Sequence, residues 1–189
     1  SWNRTPLAEA DCGGIEMKIV ILGAPGAGKG TQAGLLAERL GIPTISTGNL
    51  LRAAMQQGTE LGNQVKDAMN AGRLVPDEMM IQLVRRRLAE EDCQTGYILD
   101  GFPRTLAQAQ ALSGFAQIDA ALSIEVGDEE IERRMEGRRI CPVCQTTYHT
   151  ESNPPKREGV CDKCGSLLIT RKDDTHAVVE NRLHIYHEE

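Results

Sequence analysis

A glycine-rich run between residues 23 and 31 holds side chains suited to chemistry on phosphates. It reads Gly-Ala-Pro-Gly-Ala-Gly-Lys-Gly-Thr and directly follows the apolar segment 17–22. Glycines allow backbone angles at which successive N–H groups face one anion, and the positive end of a following helix attracts the same charge. Lys29 adds a full charge, and Thr31 offers a hydroxyl to a phosphate or to Mg²⁺, although Gly30 separates the two. The run therefore predicts a phosphate-binding loop, and the plainer alternative is a turn between a strand and a helix.

Most of the cysteines have the spacing of a metal site. Two Cys-x2-Cys pairs are separated by sixteen residues and comprise Cys141, Cys144, Cys161 and Cys164. Four thiolates can surround Zn²⁺ tetrahedrally, and a site filled by four protein ligands is structural rather than catalytic. Cys12 and Cys93 stand apart from this group. The spacing predicts a zinc-binding segment that replaces a hydrophobic core with a metal ion.

Two arginines stand close to the ends of predicted strands, where the loops of an open α/β sheet bind ligands. Arg104 lies just past a predicted central strand, and Arg52 follows the short second strand by a few residues. The planar guanidinium group of arginine can bind two phosphate oxygens at once and keeps its charge at neutral pH. The alternative interpretation of any single arginine is a solvated charge on the surface. Their placement favours a phosphate site.

The elements that must position these groups alternate along the chain. Apolar runs predict strands at 17–22, 44–46, 96–99 and 120–126. Helical spacing and end signals predict helices at 31–40, 47–55, 61–71, from 76–77 onwards, 105–112, from 128 onwards, and after 174. Strands alternating with helices predict an α/β fold, a doubly wound parallel sheet with helices on both faces. The pattern fails between the outer cysteines, where polar residues, Pro and Gly dominate.

Composition excludes several classes of protein. The 189 residues carry 21 basic and 27 acidic side chains, a net charge of -6, so the chain is no polycation for nucleic acid or membranes. The six aromatic residues are scattered, which argues against a base-stacking platform. No apolar run near the start approaches the ~20 residues of a spanning helix, and no signal peptide is visible. We therefore expect a cytoplasmic protein with no nucleic-acid or membrane partner.

The phosphate loop resembles that of the nucleoside monophosphate kinases, specifically the adenylate kinases. Further motifs follow in the family's order: STG at 46–48 with Arg52, DGFPRT at 100–105 with Gln108, GRR at 137–139, TRKDD at 170–174, and Arg182. The resemblance covers most of residues 17–187. It implies a P-loop NTPase fold with a small helical AMP-binding insertion and a zinc-ribbon lid. The implied activity is reversible transfer of a phosphoryl group from Mg-ATP to AMP, giving two ADP.

The resemblance also implies a division of the chain. Residues 1–16 fall outside it, as an extension or tag. Residues 17–46, 76–137 and 175–189 would form the P-loop core, 47–75 the AMP-binding subdomain and 138–174 the zinc lid. Because the family's chain continues further, we expect a C-terminally truncated molecule that binds ATP weakly and associates through an uncovered sheet edge. A full-length version is expected to be a monomer.

Specific site residues are implied in the same way. The catalytic set is Lys29, Arg104, Arg138, Arg171 and Arg182. The ATP set is Gly26, Ala27, Gly28, Lys29, Gly30, Thr31, Arg138, Thr147 and Tyr148. The AMP set is Thr47, Arg52, Arg73, Leu74, Val75, Gly101, Phe102, Pro103, Arg104, Gln108, Arg171 and Arg182. Asp100 resembles the family's acid that orients Mg²⁺-bound water, Arg139 is a further candidate phosphate contact, and Asn49 stands where the family motif usually has Asp.

Three alternatives stay open at the level of sequence. A kinase for UMP, CMP or GMP would share every phosphate motif and differ only in base contacts near Thr47 and Gln108. A zinc-ribbon module that binds nucleic acid or protein is less favoured, because acidic and basic residues balance between the outer cysteines. The chain could also be an inactive fragment.

Overall fold

The computed structural model of the chain describes residues 16–56, 63, 65–67 and 75–188. Within them, the central sheet is parallel, with the strand order β2–β3–β1–β4. Its strands are β1 (Met17–Gly23), β2 (Thr44–Ser46), β3 (Gly96–Asp100) and β4 (Ala120–Ile124). Because β1 pairs with β3 on one side and β4 on the other, the phosphate loop leaves the middle of the sheet.

Helices follow the strands along the chain. They are α1 (Lys29–Leu40), α2 (Thr47–Gln56), α3 (Asp77–Leu88), α4 (Leu106–Phe115), α5 (Asp128–Glu136) and α6 (His176–Glu188). Short 3₁₀ turns occur at Glu91–Cys93 and Lys172–Asp174. The helix predicted at 61–71 lies largely outside the described residues, although residues 63 and 65–67 are helical. None of the helices described is both long and apolar enough to cross a membrane.

Side chains of the central strands point alternately to the two faces of the sheet, and helices pack against them on both faces. Val20 and Leu99 face one side and join a buried cluster with Val84 of α3 and Leu112 of α4. Ile21, on the other side, belongs to a cluster that α1 covers. Strands buried on both faces are the signature of a parallel α/β sheet. The predicted fold class, a doubly wound sheet covered on both faces, is confirmed.

The pair α5 and α6 covers the phosphate loop from the outside. Ile131 and Met135 of α5 pack with Val179 and Leu183 of α6 and with a loop residue, Ala24. Each such buried aliphatic side chain contributes about 1.5–3 kcal/mol through removal of apolar surface from water. The loop is therefore held from two sides, by β1 below it and by this helix pair.

Tyr186 continues the apolar spacing of α6 but is 41% exposed. The reason is that α5 begins at Asp128, whose carboxylate already meets His187 at 3.0 Å. No further turn of α5 is left to cover Tyr186. The apolar spacing of α6 therefore continues one turn beyond the part of the helix that packs against α5.

A small antiparallel unit projects between α5 and α6. It contains the hairpin β5 (Arg138–Ile140) and β6 (Thr147–His149). Two matching turns follow the cysteine pairs: the N–H of Cys141 donates to the carbonyl of Thr146 at 2.9 Å, and that of Cys161 donates to Ser166 at 2.8 Å. The buried residues that cluster there are Cys141, Tyr148 and Cys161. The apolar core of this unit is therefore small compared with the clusters that flank the central sheet.

Candidate active site

The phosphate loop lies between β1 and α1, as the glycine-rich run predicts. Three of its four glycines adopt positive φ angles, which are 139° at Gly23, 87° at Gly26 and 97° at Gly28. A Cβ on Gly26 would come within 2.9 Å of Ile131 and Met135, so the loop packs directly on α5. A Cβ on Gly28 would meet no atom within 4 Å, so this residue faces open space at the start of α1. The loop therefore has one side held by packing and one side turned towards the cleft.

Lys29 lines the cleft and is fixed by the loop itself. Its Nζ donates to the carbonyl oxygens of Gly23 and Ala24, both at 2.7 Å. Burial lowers the pKa of Lys29 to about 8, and the nearby charges of Arg104, Arg182 and Arg138 act in the same direction, while Asp100 opposes them. At neutral pH the ammonium is charged and held in a crowded cationic environment.

The cleft that contains these groups has a volume of about 1120 Å³. The phosphate loop and α1, the start of α2, the end of β3, α5, the hairpin unit and α6 all contribute to its walls. A different cavity, of about 790 Å³, lies beside α4 and has apolar or uncharged walls such as Val20, Leu112 and Phe115. Only the first combines the phosphate loop with charged side chains, so it is the candidate active site.

Arg104 and Arg52 approach the cleft from the ends of β3 and β2. The Nε of Arg104 donates to the carbonyl of Gly101 at 2.8 Å. Partial desolvation within the cleft, together with the charge of Arg182, lowers the pKa of Arg104 to about 10, although the residue is exposed on the open side of the cleft. Arg52 donates to Asn49 Oδ1 at 2.6 Å, and burial lowers the pKa of Arg52. Asn49, which replaces the family's usual Asp, thus holds this arginine.

Two carboxylates beside the hairpin unit hold two further arginines. Asp174, whose side chain is fully buried, receives both Nε and an Nη of Arg138, with the Nε–Oδ2 distance at 2.7 Å. Asp173 pairs with Arg182 of α6 at 3.2 Å. Both acids come from the short turn before α6. They fix Arg138 at the start of β5 and Arg182 on α6, and they partly neutralise both.

Two buried guanidinium nitrogens in the described part of the cleft lack a hydrogen-bond partner, Arg52 Nε and Arg171 Nε. Burial lowers the pKa of Arg171 to about 10, with Arg52 and Arg138 adding to the effect. A buried N–H without an acceptor costs about 1–3 kcal/mol. Such donors on charged groups fit a phosphate, whose oxygens would accept from both nitrogens.

Asp100 ends β3 and faces the start of α1. A Cβ on Gly30 would lie 3.4 Å from its Oδ2, so the carboxylate lies next to the phosphate loop. Burial raises the pKa of Asp100, while Lys29 and Arg104 oppose the shift. Asp100 supplies the carboxylate among the predicted site residues. The charged side chains around it, including those of Lys29 and Arg104, are cations.

Of the two predicted base contacts, Gln108 lines the cleft, whereas Thr47 is fully buried and does not belong to the cleft lining. The Thr47 hydroxyl donates to the carbonyl of Gly101 at 3.0 Å. Gln108 accepts from the N–H of Arg104 at 2.8 Å and donates to Asp77 at 2.7 Å. The Gln108 amide therefore retains one N–H and one lone pair for a ligand. Phe102 and Val75 are buried beneath them, and Pro103 is half-buried.

Four of the predicted contacts have side chains engaged elsewhere or no description. Tyr148, predicted near the adenine or ribose, is mostly buried with the cysteines but still borders the cleft beside its exposed neighbour Thr147. Arg139 donates to the carbonyls of Glu136 and Arg138, so its side chain turns to the backbone rather than to the cleft. Arg73 and Leu74 lie outside the described residues. The remaining loop residues, Ala27 and Thr31, line the cleft as predicted.

Arg134, which the sequence analysis did not single out, also lines the cleft. It lies on α5, with an Nη 3.5 Å from the carbonyl of Ala27 in the phosphate loop. Glu130 holds its Nε at 2.8 Å. Arg134 lies on the helix that packs on the loop and precedes Arg138, the first residue of β5, by four residues; this proximity was the signal available in the sequence.

The four cysteine sulfurs are gathered in one place. All lie within 4.8 Å of one another, and the Cys141–Cys164 and Cys144–Cys161 distances are 3.3 and 3.4 Å. Thiolates at 2.3 Å from a tetrahedral zinc ion would lie about 3.8 Å apart. The cluster is therefore compatible with one zinc ion after an adjustment of a few tenths of an ångström.

A parallel sheet that carries a phosphate loop into an arginine-lined cleft defines a P-loop protein that acts on phosphate groups. The family model described as adenylate kinase matches residues 21–189. The chain therefore belongs to the adenylate kinase family. It is a phosphotransferase that acts on nucleoside monophosphates.

Curated relatives support this assignment over most of the chain. The adenylate kinase of Caldicellulosiruptor saccharolyticus is 52% identical over 176 residues, covering 90% of this chain and 82% of the relative. That of Lachnospira eligens is 52% identical over 178 residues, covering 92% and 84%. That of Clostridium perfringens strain SM101 is 53% identical over 175 residues, covering 90% and 81%.

Proposed function

We propose that the cleft transfers the γ-phosphoryl group of ATP to AMP, and that its two sides divide the substrates. The phosphate loop and the hairpin unit would bind ATP, whereas α2, the end of β3 and α4 would bind AMP. The observation that carries this proposal is the cluster of cations between the two sides. Arg52, Arg104, Arg138, Arg171 and Arg182 perturb one another's pKa values or that of Lys29. Such mutual repulsion is relieved when polyphosphate enters.

On the donor side, the backbone N–H groups of residues 26–31 and Lys29 would bind the ATP phosphates. Lys29 now donates to two loop carbonyls, and a phosphate oxygen can replace one of these acceptors. The Thr31 hydroxyl, exposed in the cleft, would donate to the same phosphates. Arg138 reaches the donor side from the hairpin unit, where Asp174 fixes its orientation.

On the acceptor side, Arg52 and Arg104 would hold the phosphate of AMP. Arg104 is fixed at its Nε by Gly101, which leaves its Nη groups for an anion. The remaining amide N–H and lone pair of Gln108 are positioned to recognise the edge of a base. Arg171 and Arg182 would lie between the two phosphates and neutralise charge during transfer.

No general base is needed in this reaction, because the AMP phosphate is already an anionic nucleophile at neutral pH. Catalysis then depends on alignment of the two phosphates, neutralisation of their charge and exclusion of water. Closure of the hairpin unit over the cleft would supply the last of these. The arginines of the cleft are suited to this role, since they stay charged where water is excluded.

The cleft also offers a place for Mg²⁺. Asp100 would hold the ion through a bound water, and the ion when bound would neutralise and orient the ATP phosphates. Oxygen ligands suit this metal, and the surrounding cations favour the ionised form of the Asp100 carboxylate. The four cysteines would hold a structural Zn²⁺ in the hairpin unit, to which we refer as the lid.

A kinase for another nucleoside monophosphate remains the nearest alternative, since it would use the same phosphate contacts. Coupled assays of ADP formation with AMP, UMP, CMP and GMP discriminate between the two. We expect a kcat/KM for AMP at least ~10²-fold above the others, since a site that hydrogen-bonds a base rejects analogues that leave its polar groups unpaired. Equal rates with UMP or CMP would overturn AMP as the acceptor.

The pKa of Lys29 predicts how the reaction depends on pH. Below pH 8 its ammonium is charged and attracts ATP, and above this value it becomes neutral. Since kcat/KM reports groups of the free enzyme, we expect kcat/KM for ATP to fall about tenfold per pH unit above pH 8. Lys29→Arg keeps the charge, so its profile should lie lower but stay flat across this range. A decline with the same midpoint in Lys29→Arg would assign the titration to another group.

A further inference from the structure

The phenol of Tyr148 lies within the cysteine cluster of the lid. Its Oη is 3.5 Å from the Sγ of Cys161, and both residues are almost completely buried, with exposures of 5% and 2%. The ring also packs with Cys141. Tyr148 thus contacts the interior of the cluster, away from the solvent that reaches Cys144 and Cys164.

The direction of the contact between Tyr148 and Cys161 follows from a neighbouring hydrogen bond. The backbone N–H of Asp162 donates to the Oη of Tyr148 at 2.8 Å, so this oxygen already acts as an acceptor. A thiolate bound to a metal has no proton to give. The hydroxyl proton of Tyr148 is therefore available to the sulfur, and the sulfur can only accept it.

The other sulfurs have donors of a different kind. Thr146 Oγ1 lies 3.2 Å from Cys144 Sγ, and Ser166 Oγ lies 3.4 Å from Cys164 Sγ. These two hydroxyls occupy equivalent positions, two residues after the second cysteine of each pair. Cys144 and Cys164 are exposed, so water can replace either hydroxyl. Cys161 has no such access.

We propose that Tyr148 is a positioning residue of the metal site, which donates a hydrogen bond to the Cys161 thiolate and holds that sulfur in place. The proposal rests on the zinc site of the proposed function. Donation to the sulfur disperses its negative charge where water cannot do so. Because Tyr148 belongs to β6, the same bond ties the metal to the strand that carries Thr147 into the cleft.

Replacement of the zinc by Co²⁺ in the full chain gives a direct test, because the sulfur-to-cobalt charge-transfer band reports the electron density on the thiolates. We expect Tyr148→Phe to shift this band to longer wavelength and to raise the dissociation constant for Zn²⁺ about 10-fold. Tyr186→Phe, which removes the same hydroxyl from an exposed ring on α6, is the matched control and should change neither quantity.

Two further variants separate a hydrogen bond from simple packing. Thr146→Val and Ser166→Ala remove hydroxyls that water can replace, so both should shift the band less than Tyr148→Phe. If Tyr148→Phe perturbs the fold of the lid, 3-fluorotyrosine at position 148 keeps the shape and makes the hydroxyl a stronger donor. It should move the band to shorter wavelength.

The outcomes distinguish the proposed role of Tyr148 from the proposed zinc site on which it depends. If the wild-type chain binds neither Co²⁺ nor Zn²⁺ in a tetrahedral sulfur site, the zinc lid itself is wrong. If the wild type binds both and the spectra of Tyr148→Phe and the fluorotyrosine variant match it, only the role of Tyr148 is overturned.

Discussion

Lys29→Ala should lower the turnover of phosphoryl transfer by ~10²–10³-fold or more while leaving the fold intact, since removal of one preorganised electrostatic stabiliser has effects of this size. The Nζ of Lys29 is the full positive charge within the phosphate loop, and only two carbonyls of that loop hold it. Alanine removes the charge without filling space, and α1 tolerates alanine at its start. The change should therefore appear in the rate of ADP formation and not in the thermal unfolding curve.

The matched control is Lys156→Ala, which removes the same charge from an exposed position in the lid. Its turnover should stay close to that of the wild type. If Lys29→Ala retains near-normal turnover, the loop is not the catalytic phosphate site. If both variants lose activity equally, the effect belongs to net charge rather than to the position of Lys29.

The parts of the site that could be predicted from sequence are local. Lys29 stands between two glycines in a run that directly follows an apolar strand. A stretch of fifteen residues, 17–31, therefore contains both the loop and the strand that leads into it. The cysteine pairs are likewise two short turns, and their equivalent hydrogen bonds follow from the equivalent spacing. Such features need no knowledge of distant contacts.

What could not be predicted depends on contacts between distant segments. Nothing in the sequence pairs Asp174 with Arg138 rather than with another arginine, because that choice is made where the two ends of the lid meet. Tyr148 illustrates the same limit. The family resemblance implied a nucleotide contact for Tyr148, and nothing in the sequence indicated that its ring also packs against Cys141 and Cys161.

The charges of the cleft are balanced only in part by the protein. Asp173 and Asp174 hold Arg182 and Arg138, whereas Arg171 and Arg52 each keep a buried Nε without a partner. An excess of partly buried positive charge destabilises the fold by itself. It is tolerated where an anionic ligand removes the cost, so we expect ATP and AMP to raise the melting temperature.

Removal of zinc should unfold the lid and leave the P-loop core folded. Within the described residues the lid cluster buries little more than Cys141, Tyr148 and Cys161, whereas the core has separate clusters on both faces of its sheet. Zinc-binding free energies of ~10–16 kcal/mol in small peptides are folding free energies. Without the metal, the lid lacks the apolar surface to replace this contribution.

Two measurements follow from the loss of the metal. Amide hydrogen exchange in residues 141–169 should become fast in the zinc-free protein, while β1 and β3 keep their protection. Turnover should fall by about 10²-fold, because Arg138 and Arg171 stand at the two ends of the lid and misplacement of such groups by 1 Å has effects of this size. Addition of Zn²⁺ should restore both properties.

Substitution of the cysteines tests whether the metal, rather than the chelation treatment, is responsible. Cys144→Ser with Cys164→Ser should reproduce the zinc-free behaviour, since it removes two ligands that are exposed and make little packing contact. Cys93→Ser is the matched control, because this buried thiol lies far from the lid in the 3₁₀ turn before β3. It should retain one zinc ion per chain by elemental analysis. Protein that is purified without chelator, contains no zinc and still protects residues 141–169 would show that the lid folds through its hydrogen bonds alone.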